Sequence, residues 1–432
     1  MVQITDKINI PKEIQELAEK KIESIPDFQE AIKKYLERDV TELLSLILAG
    51  AIKLSASDIH FEPRDENVRL RIRLDGMLQD VIILEEEVYH FLLSRIKLLA
   101  GLKLNIHDKA QDGSFSVVFS KVEIEIRTSA LPADYGESIV MRILNPENLK
   151  SIEELGLRKD LLELFKKEIQ KPNGMIIVTG PTGSGKTTTL YAFLKYLQRP
   201  EIKIITIEDP IEYRLKGISQ TEVRPEKGYD FPNGLRAIVR QDPDVILVGE
   251  IRDLETAQIA LQAALTGHLV FSTLHTNDAA GTVPRLISLG ANPINIAPAI
   301  NMAIAQRLVR RVCPKCAIPE KISEENYKKI KEELSGLPPH IEIPEISPDL
   351  EILKPQGCKY CNFTGYKGRI GIFEAFLVDD EMEELILKKP AISEIRKLAI
   401  KKGMLTMYQD GLIKVLQKIT TIEEVKRVAM EE

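Results

Sequence analysis

Hydrophobic and polar positions change rhythm several times along this 432-residue chain. Residues 1–40 are rich in Lys, Glu and Ile, with apolar residues at helical spacing, and Pro11 and Pro26 cut the stretch into short helices. On pattern alone this is a solvated helical arm. Residues 41–148 are mixed. LRIRLDGML and VEIEIRTSAL alternate apolar and polar positions, as half-buried strands do, and Asp75-Gly76 marks a turn. Between them VYHFLLSRIKLLAGL has helical spacing and a stop at Gly101. The expectation is a compact α+β domain.

Asn145-Pro146 breaks the pattern, and the polar segment that follows is an interdomain linker, taken as 149–156. Over 157–305 strands alternate with helices. MIIVTG (175–180), KIITIED (203–209), VILVGE (245–250) and LVFSTLH (269–275) are short, continuous Ile/Val-rich runs. Parallel strands buried on both faces read this way, so the class is α/β with a mostly parallel sheet. Residues 306–372 are basic and cysteine-bearing, with a Pro- and Glu-rich insertion. Residues 373–432 form amphipathic helices at the C-terminal end.

Composition narrows the picture. Hydrophobic residues at 44% and charged residues at 29% describe a globular protein rather than a disordered one. The net charge of -6 and an aromatic content of 5% argue against a chain that coats nucleic acid. The start of the chain carries charges where a signal peptide needs an apolar run. The run Leu43 to Ile52 is far shorter than the roughly 20 residues that span a bilayer. A cytoplasmic protein is expected, and 4 cysteines are too few for a disulfide scaffold of this size.

Gly180-Pro-Thr-Gly-Ser-Gly-Lys186-Thr187 matches the phosphate-binding loop G-x-x-x-x-G-K-[ST], between a strand and the helical run TTTLYAFLKYLQ. Gly183 and Gly185 let the backbone curl so that N–H groups converge on phosphate, and the helix adds its positive end. Ser184 and Thr188 belong to the same cradle. Lys186 supplies a charge to the β and γ phosphates of ATP, and the Thr187 hydroxyl can ligate Mg²⁺.

In open α/β sheets ligands bind beyond the carboxyl ends of the strands. Glu208, Glu250 and His275 follow such ends. The usual acidic pair of the metal-binding strand is reduced here, because its first position is Gly249. Glu250 is therefore assigned to the Mg²⁺ shell or to water activation, with Glu208 as its partner; which is the base stays open. His268 and His275 flank one strand and are candidates for sensing the γ-phosphate by hydrogen bonding.

Cys313-Pro-Lys-Cys316 and Cys358-Lys-Tyr-Cys361 form two C-x-x-C knuckles 41 residues apart. Two knuckles complete a tetrahedral thiolate site for Zn²⁺, and four protein ligands leave no open position, so the role is structural. The insertion would be a loop between ligands.

GPTGSGKTTTLY, IITIEDPIEY, LRAIVRQDPDVILVGEIRD and GHLVFSTLHTNDA occur in that order. Together they resemble the secretion ATPase superfamily of type II secretion and type IV pili, as its Walker A, aspartate, atypical Walker B and histidine boxes. ASDIHFEP, LRIRLDGML and IRTSALPADYGESIVMRIL fit as well, so the resemblance covers about 40–432. The tetracysteine module and the ending MYQDGLIKVLQKITTIEEVKRV are similar to the assembly branch; the retraction signature AIRNLIRE is absent. The resemblance implies a RecA-like ATPase domain preceded by a smaller PAS-like α+β domain. It further implies that the nucleotide lies between these two domains and that arginines of the former reach the phosphates. The matching positions are Arg127 and Arg142; Arg71 and Arg73 are weaker candidates. The implied function is a homo-hexameric ATPase at the inner membrane that moves a membrane platform, with adaptor proteins, to add pilin or pseudopilin to a fibre. A full N-terminal docking domain does not fit in 40 residues. The alternatives are a retraction motor, a RecA-like nucleic-acid motor, and a nucleotide-binding scaffold without turnover.

Overall fold

The computed structural model describes residues 7–429; the ends of the expected arm and of the C-terminal region lie outside the described residues. The chain forms two compact units. The first holds the residues up to Asn148 together with Cys313–Cys316 and Gln356–Lys367. The second holds Leu149–Val312, Ala317–Pro355 and Gly368 onward.

In chain order the first unit runs β1 (Lys7–Asn9), α1 (Lys12–Lys21), α2 (Ile25–Lys33), α3 (Val40–Lys53), β2 (Asp58–Pro63), β3 (Val68–Leu74), β4 (Met77–Leu84), α4 (Glu86–Leu99), β5 (Gln111–Phe119), β6 (Val122–Ala133) and β7 (Gly136–Leu144). Its seven-stranded sheet has the order β1-β5-β6-β7-β2-β3-β4. β3 shows why the pattern works. Val68, Leu70, Ile72 and Leu74 point into the core, while Arg69, Arg71 and Arg73 point outward. Arg71 pairs with Glu62 at 3.3 Å and Asp80 at 2.9 Å, and Arg73 with Asp58 at 3.4 Å, so both hold their own domain together.

The stretch expected as a solvated arm is helical but not solvated. Ile14, Ala18, Ile22, Phe28 and Ile32 are buried in the same core as α3. Gly50 of α3 explains the fit: a Cβ there would meet the Phe28 ring at 2.2 Å, so the missing side chain lets the aromatic ring lie on the helix. The apolar run of α3 is a core helix.

The second unit runs α5 (Lys159–Glu168), β8 (Gly174–Thr179), α6 (Lys186–Leu197), β9 (Ile204–Glu208), β10 (Ser219–Glu222), α7 (Phe231–Val239), β11 (Val245–Val248), α8 (Leu254–Leu265), β12 (Leu269–Leu274), α9 (Thr282–Ser288), α10 (Pro293–Ala299) and β13 (Ile300–Val312). There follow β14 (Ile318–Lys321), α11 (Glu324–Glu333), β15 (Glu351–Lys354), β16 (Tyr366–Leu377), α12 (Asp380–Leu387), α13 (Ile392–Lys401), α14 (Met407–Leu416) and α15 (Ile422–Ala429). The main sheet has the order β10-β9-β11-β12-β8-β13-β16, and its pairs from β10 through β13 are parallel. One apolar core lies on each face, which is why these strands read as unbroken apolar runs.

The insertion between the cysteine pairs is more than a loop. β14 and β15 pair antiparallel, and Ile322, Ile330, Leu334 and Ile341 join the core of the second unit with Met404 and Met407. Burial of these few apolar side chains gives the polar segment a fixed place. Residues 306–312 complete β13. The segment 306–372 is thus divided between the two units.

Candidate functional site

β8 ends at Thr179, and the loop that follows is shaped by three glycines with positive φ: Gly180 (145°), Gly183 (80°) and Gly185 (90°). A Cβ on Gly180 would lie 2.6 Å from the Gln306 carbonyl oxygen, and one on Gly185 would lie 2.8 Å from the Gln306 side-chain nitrogen. The loop is therefore pressed against the strand β13, and Thr189 of α6 locks it there by donating to Gln306 Oε1 at 2.7 Å. α6 begins at Lys186 directly after the loop, so its N-terminal N–H groups face the cradle.

Lys186 Nζ donates to the carbonyls of Gly180 (2.8 Å) and Pro181 (3.1 Å). Burial lowers its pKa; Glu250 opposes that, and Arg307 adds to it. Among the described residues, Ser184 Oγ is buried with no hydrogen-bond partner, and so is Arg307 Nη1. An orphaned hydroxyl, a lysine turned onto loop carbonyls and a helix N-terminus make a cradle that fits a polyphosphate. Thr187 and Thr188 stand in the first turn of α6, half-buried.

The carboxyl edge brings together Glu250, His275 and Lys186. Glu250 follows β11; it forms an ion pair with Arg252, and its Oε2 lies 3.5 Å from His275 Nε2. Gly249, the missing half of the acidic pair, has a steric reason: a Cβ there would lie 3.3 Å from both Glu208 Cα and the Ile207 oxygen. The N–H of Gly249 donates to Ile207 oxygen at 2.8 Å, so the two strand ends are drawn close and a side chain there would fit only with a small shift of β9.

Glu208 is placed differently. It is 3% exposed, and both oxygens are taken. Thr206 donates to Oε1 at 2.6 Å and Gln220 to the same atom at 3.2 Å, while the Tyr191 hydroxyl donates to Oε2. Burial raises its pKa against those hydrogen bonds. His268 precedes β12 and so lies at the amino edge of the sheet, the opposite edge from His275. Its Nδ1 lies 3.0 Å from the Ala263 carbonyl near the end of α8. The structure does not bring His268 to the phosphate loop, because a whole strand separates the two edges. Arg307 is the residue that sequence reasoning passed over; it follows Gln306 in a segment without a recognised motif. Within the first unit, Arg142 Nε pairs with Asp58 at 3.1 Å and keeps a half-exposed side chain, and Arg127 pairs with Glu125 at 3.4 Å.

The four cysteines form one cluster, with all four sulfurs within 4.8 Å of one another. Cys313 and Cys358 lie 3.9 Å apart, Cys316 and Cys361 3.8 Å, and Cys358 and Cys361 3.8 Å. A zinc ion with Zn–S distances of about 2.3 Å puts tetrahedral sulfurs roughly 3.8 Å apart, so the donor set fits. Backbone N–H groups of Gly357, Cys358 and Gly365 donate to cysteine sulfurs at 3.2–3.3 Å. For Cys361, burial disfavours the thiolate, yet hydrogen bonds from the Cys358 and Gly365 N–H groups and from the Cys316 and Cys358 side chains together outweigh it and bring the pKa down to about 7. The knuckle is tied to α2 of its own unit: Asn362 Oδ1 accepts from the Ile25 N–H at 2.7 Å, and Lys359 pairs with Asp27 at 2.9 Å.

Comparison with known proteins agrees with this geometry. The family model of the type II/IV secretion system protein matches residues 34–427. The type II secretion system protein E of Dickeya dadantii is 43% identical over 411 residues, 95% of this chain and 80% of that protein. The type IV pilus assembly ATPase PilB of Thermus thermophilus is 42% identical over 412 residues, covering 92% of this chain but 45% of its own length. The chain thus spans less than half of that relative. Among solved structures, the pilus retraction motor PilT with bound ADP is similar at a TM-score of 0.59 and 28% identity, over 89% of this chain and 96% of that one. The Legionella pneumophila ATPase DotB shares the fold at a TM-score of 0.63 and 23% identity, over 89% and 94%. Among the described residues no helix is long and apolar enough to cross a membrane.

Proposed function

This chain belongs to the type II/IV secretion system protein family, and from that premise we propose that it is an ATP-hydrolysing motor that drives pilin or pseudopilin assembly. The observation that carries the reading is the pairing of a lysine-bearing phosphate cradle after β8 with Glu250 after β11, at the same carboxyl edge of the sheet and within electrostatic reach of Lys186. In this reading the cradle N–H groups, Ser184 and Lys186 hold the polyphosphate. Thr187 would hold Mg²⁺, which when bound neutralises phosphate charge. Glu250 orients or deprotonates the attacking water, and His275, beside it, senses the terminal phosphate. Glu208 holds β9, β10 and α6 in register around the site.

Arg127 and Arg142 are carried as guanidinium ligands of the phosphates, on the strength of the family resemblance and the charge of the transition state. The cysteine cluster would hold Zn²⁺ as a structural ion. A homo-hexameric ring, cytoplasmic and bound to the inner membrane through platform and adaptor proteins, completes the proposal. Assembly is favoured over retraction because the assembly and type II E relatives match at 42–43% identity, against 28% for the retraction motor. The test is steady-state phosphate release by the purified chain and by Lys186→Ala. Wild-type turnover that is lost in the variant supports the reading. Turnover that survives it, or that requires DNA, overturns it.

A further inference from the structure

We propose that Arg307 is a second cation of the phosphate site, supplied by the same chain, which binds the nucleotide's polyphosphate alongside Lys186. The inference rests on the nucleotide reading above and adds a ligand that no motif announces. Its first support is position. β13 pairs with β8 as far as Ala305 opposite Thr179, so the next residues run beside the phosphate loop itself. The Gln306 backbone oxygen is close enough to Gly180 to exclude a Cβ there, and the Gln306 side chain reaches Gly185.

The second support is the state of the guanidinium. Nη2 donates to the Asn277 carbonyl at 3.2 Å, whereas Nη1 is buried and has no acceptor among the described residues. A structural arginine in a half-buried position normally satisfies its planar fork on a carboxylate. Here the two carboxylates that face it are otherwise engaged. Asp278 forms an ion pair with Arg396 and accepts the Gly281 N–H at 2.7 Å. Glu374 accepts the N–H groups of Ala279 (2.8 Å) and Met407 (3.1 Å), and its burial disfavours the charged form.

The third support is charge balance. Arg307 lies within electrostatic reach of Lys186 and disfavours its protonation, while burial makes the charge of each cation costly. Two cations held this way, one turned onto loop carbonyls and one with an idle donor, form an electropositive site matched to a multiply charged anion. A bound polyphosphate would give the idle donor its acceptor and remove the mutual repulsion.

The experiment compares the wild-type full chain with Arg307→Ala and Arg307→Lys. Equilibrium binding of a fluorescent ATP analogue, displaced by ATP or by ADP, is read beside the melting temperature without nucleotide. Arg307→Ala should weaken ATP binding by about tenfold or more, the usual size for a charge-assisted hydrogen bond, without lowering the nucleotide-free melting temperature. Arg307→Lys should recover part of the affinity. ATP binding by Arg307→Ala within about twofold of wild type overturns the proposal. So does a large fall in the nucleotide-free melting temperature in both variants, since that marks a purely structural arginine. If Arg307→Ala does not fold, Arg307→Lys and Arg307→Gln are judged on the same readings. Absence of ATP binding by the wild-type chain would instead overturn the nucleotide reading itself.

Discussion

β9 and β11 are parallel neighbours, and each brings a glutamate to the carboxyl edge of the same sheet. Their register sets Val248 opposite Ile207, so Gly249 stands level with Glu208, and Glu250 lies one residue further out. That single residue separates two chemical fates. Glu208 is still part of its strand and shares a face with Ile204 and Thr206. That face is covered by α6, where Tyr191, with Thr206 and Gln220, occupies the carboxylate completely. Glu250 lies beyond the strand, where it pairs with the exposed Arg252, approaches the exposed His275 at 3.5 Å and is within electrostatic reach of Lys186. The same residue type at two neighbouring strand ends thus has a caged carboxylate in one case and one beyond its strand in the other.

The sharpest way to break this comparison is to neutralise each glutamate in turn. Glu250→Gln should reduce hydrolysis by about 10²-fold or more, the usual size for loss of a positioned acid–base group, with ATP affinity kept within a few fold. Glu208→Gln should stay within about tenfold of wild type in the same phosphate-release assay. Equal losses would show that both carboxylates act on the nucleotide.

The next effect in size asks whether Glu250 suffices. The double variant Arg127→Ala, Arg142→Ala should lower hydrolysis by roughly 10–100-fold, below the ~10³-fold of a single dedicated arginine because two share the task. Melting temperature is the control for folding. Activity within about twofold of wild type would leave Glu250 and the phosphate loop as the whole catalytic apparatus.

A smaller change should spare both strand ends. Cys313→Ser should remove bound zinc, measured by elemental analysis against about one ion per wild-type chain. It should also raise hydrogen exchange in 313–316 and 356–367, while ATP binding stays within about twofold. Wild-type protein without zinc and with four reactive thiols would end the metal assignment.

The smallest effect concerns pH. Burial raises the pKa of Glu208, with hydrogen bonds from Thr206, Tyr191 and Gln220 opposing it. A folded-state pKa above the unfolded one stabilises the fold fully below the ordinary carboxylate value, and that contribution is lost as pH rises through the raised value. Wild-type melting temperature should therefore fall relative to Glu208→Gln as pH rises across that window. Parallel melting curves for the two proteins would mean that the cage fully offsets the cost of burial.

The chemistry that was legible in the sequence depends on residues close together in the chain. The phosphate loop is one contiguous turn between a strand and a helix, so spacing alone identifies Lys186 and its glycines. Each cysteine knuckle is likewise local, and two knuckles imply their own meeting point; the structure brings the four sulfurs together. Unbroken Ile/Val runs announced a sheet buried on both faces, because each such strand must lose water on both sides. The resemblance to secretion ATPases followed from the order of four such local boxes, and the family match extends over most of the chain.

What depended on contacts between distant segments was decided only by the tertiary structure. The first helices carry the apolar spacing of an amphipathic surface, but Gly50 and Phe28 determine that they lie against α3. The polar insertion gives little sign of order until β14 finds β15 and a few of its apolar side chains reach a core built elsewhere. His268 and His275 are alike as letters, and the strand between them sends one to each edge of the sheet. Glu208 and Glu250 both end apolar runs, and α6 covers only the first. Arg307 belongs to no motif, and its proximity to the phosphate loop arises because β13 pairs with β8 across more than a hundred residues of chain. Residue type and local spacing determine which chemistry a side chain can perform. Whether it faces water, a helix or a phosphate depends on packing, which the chain sets only through contacts far apart in sequence.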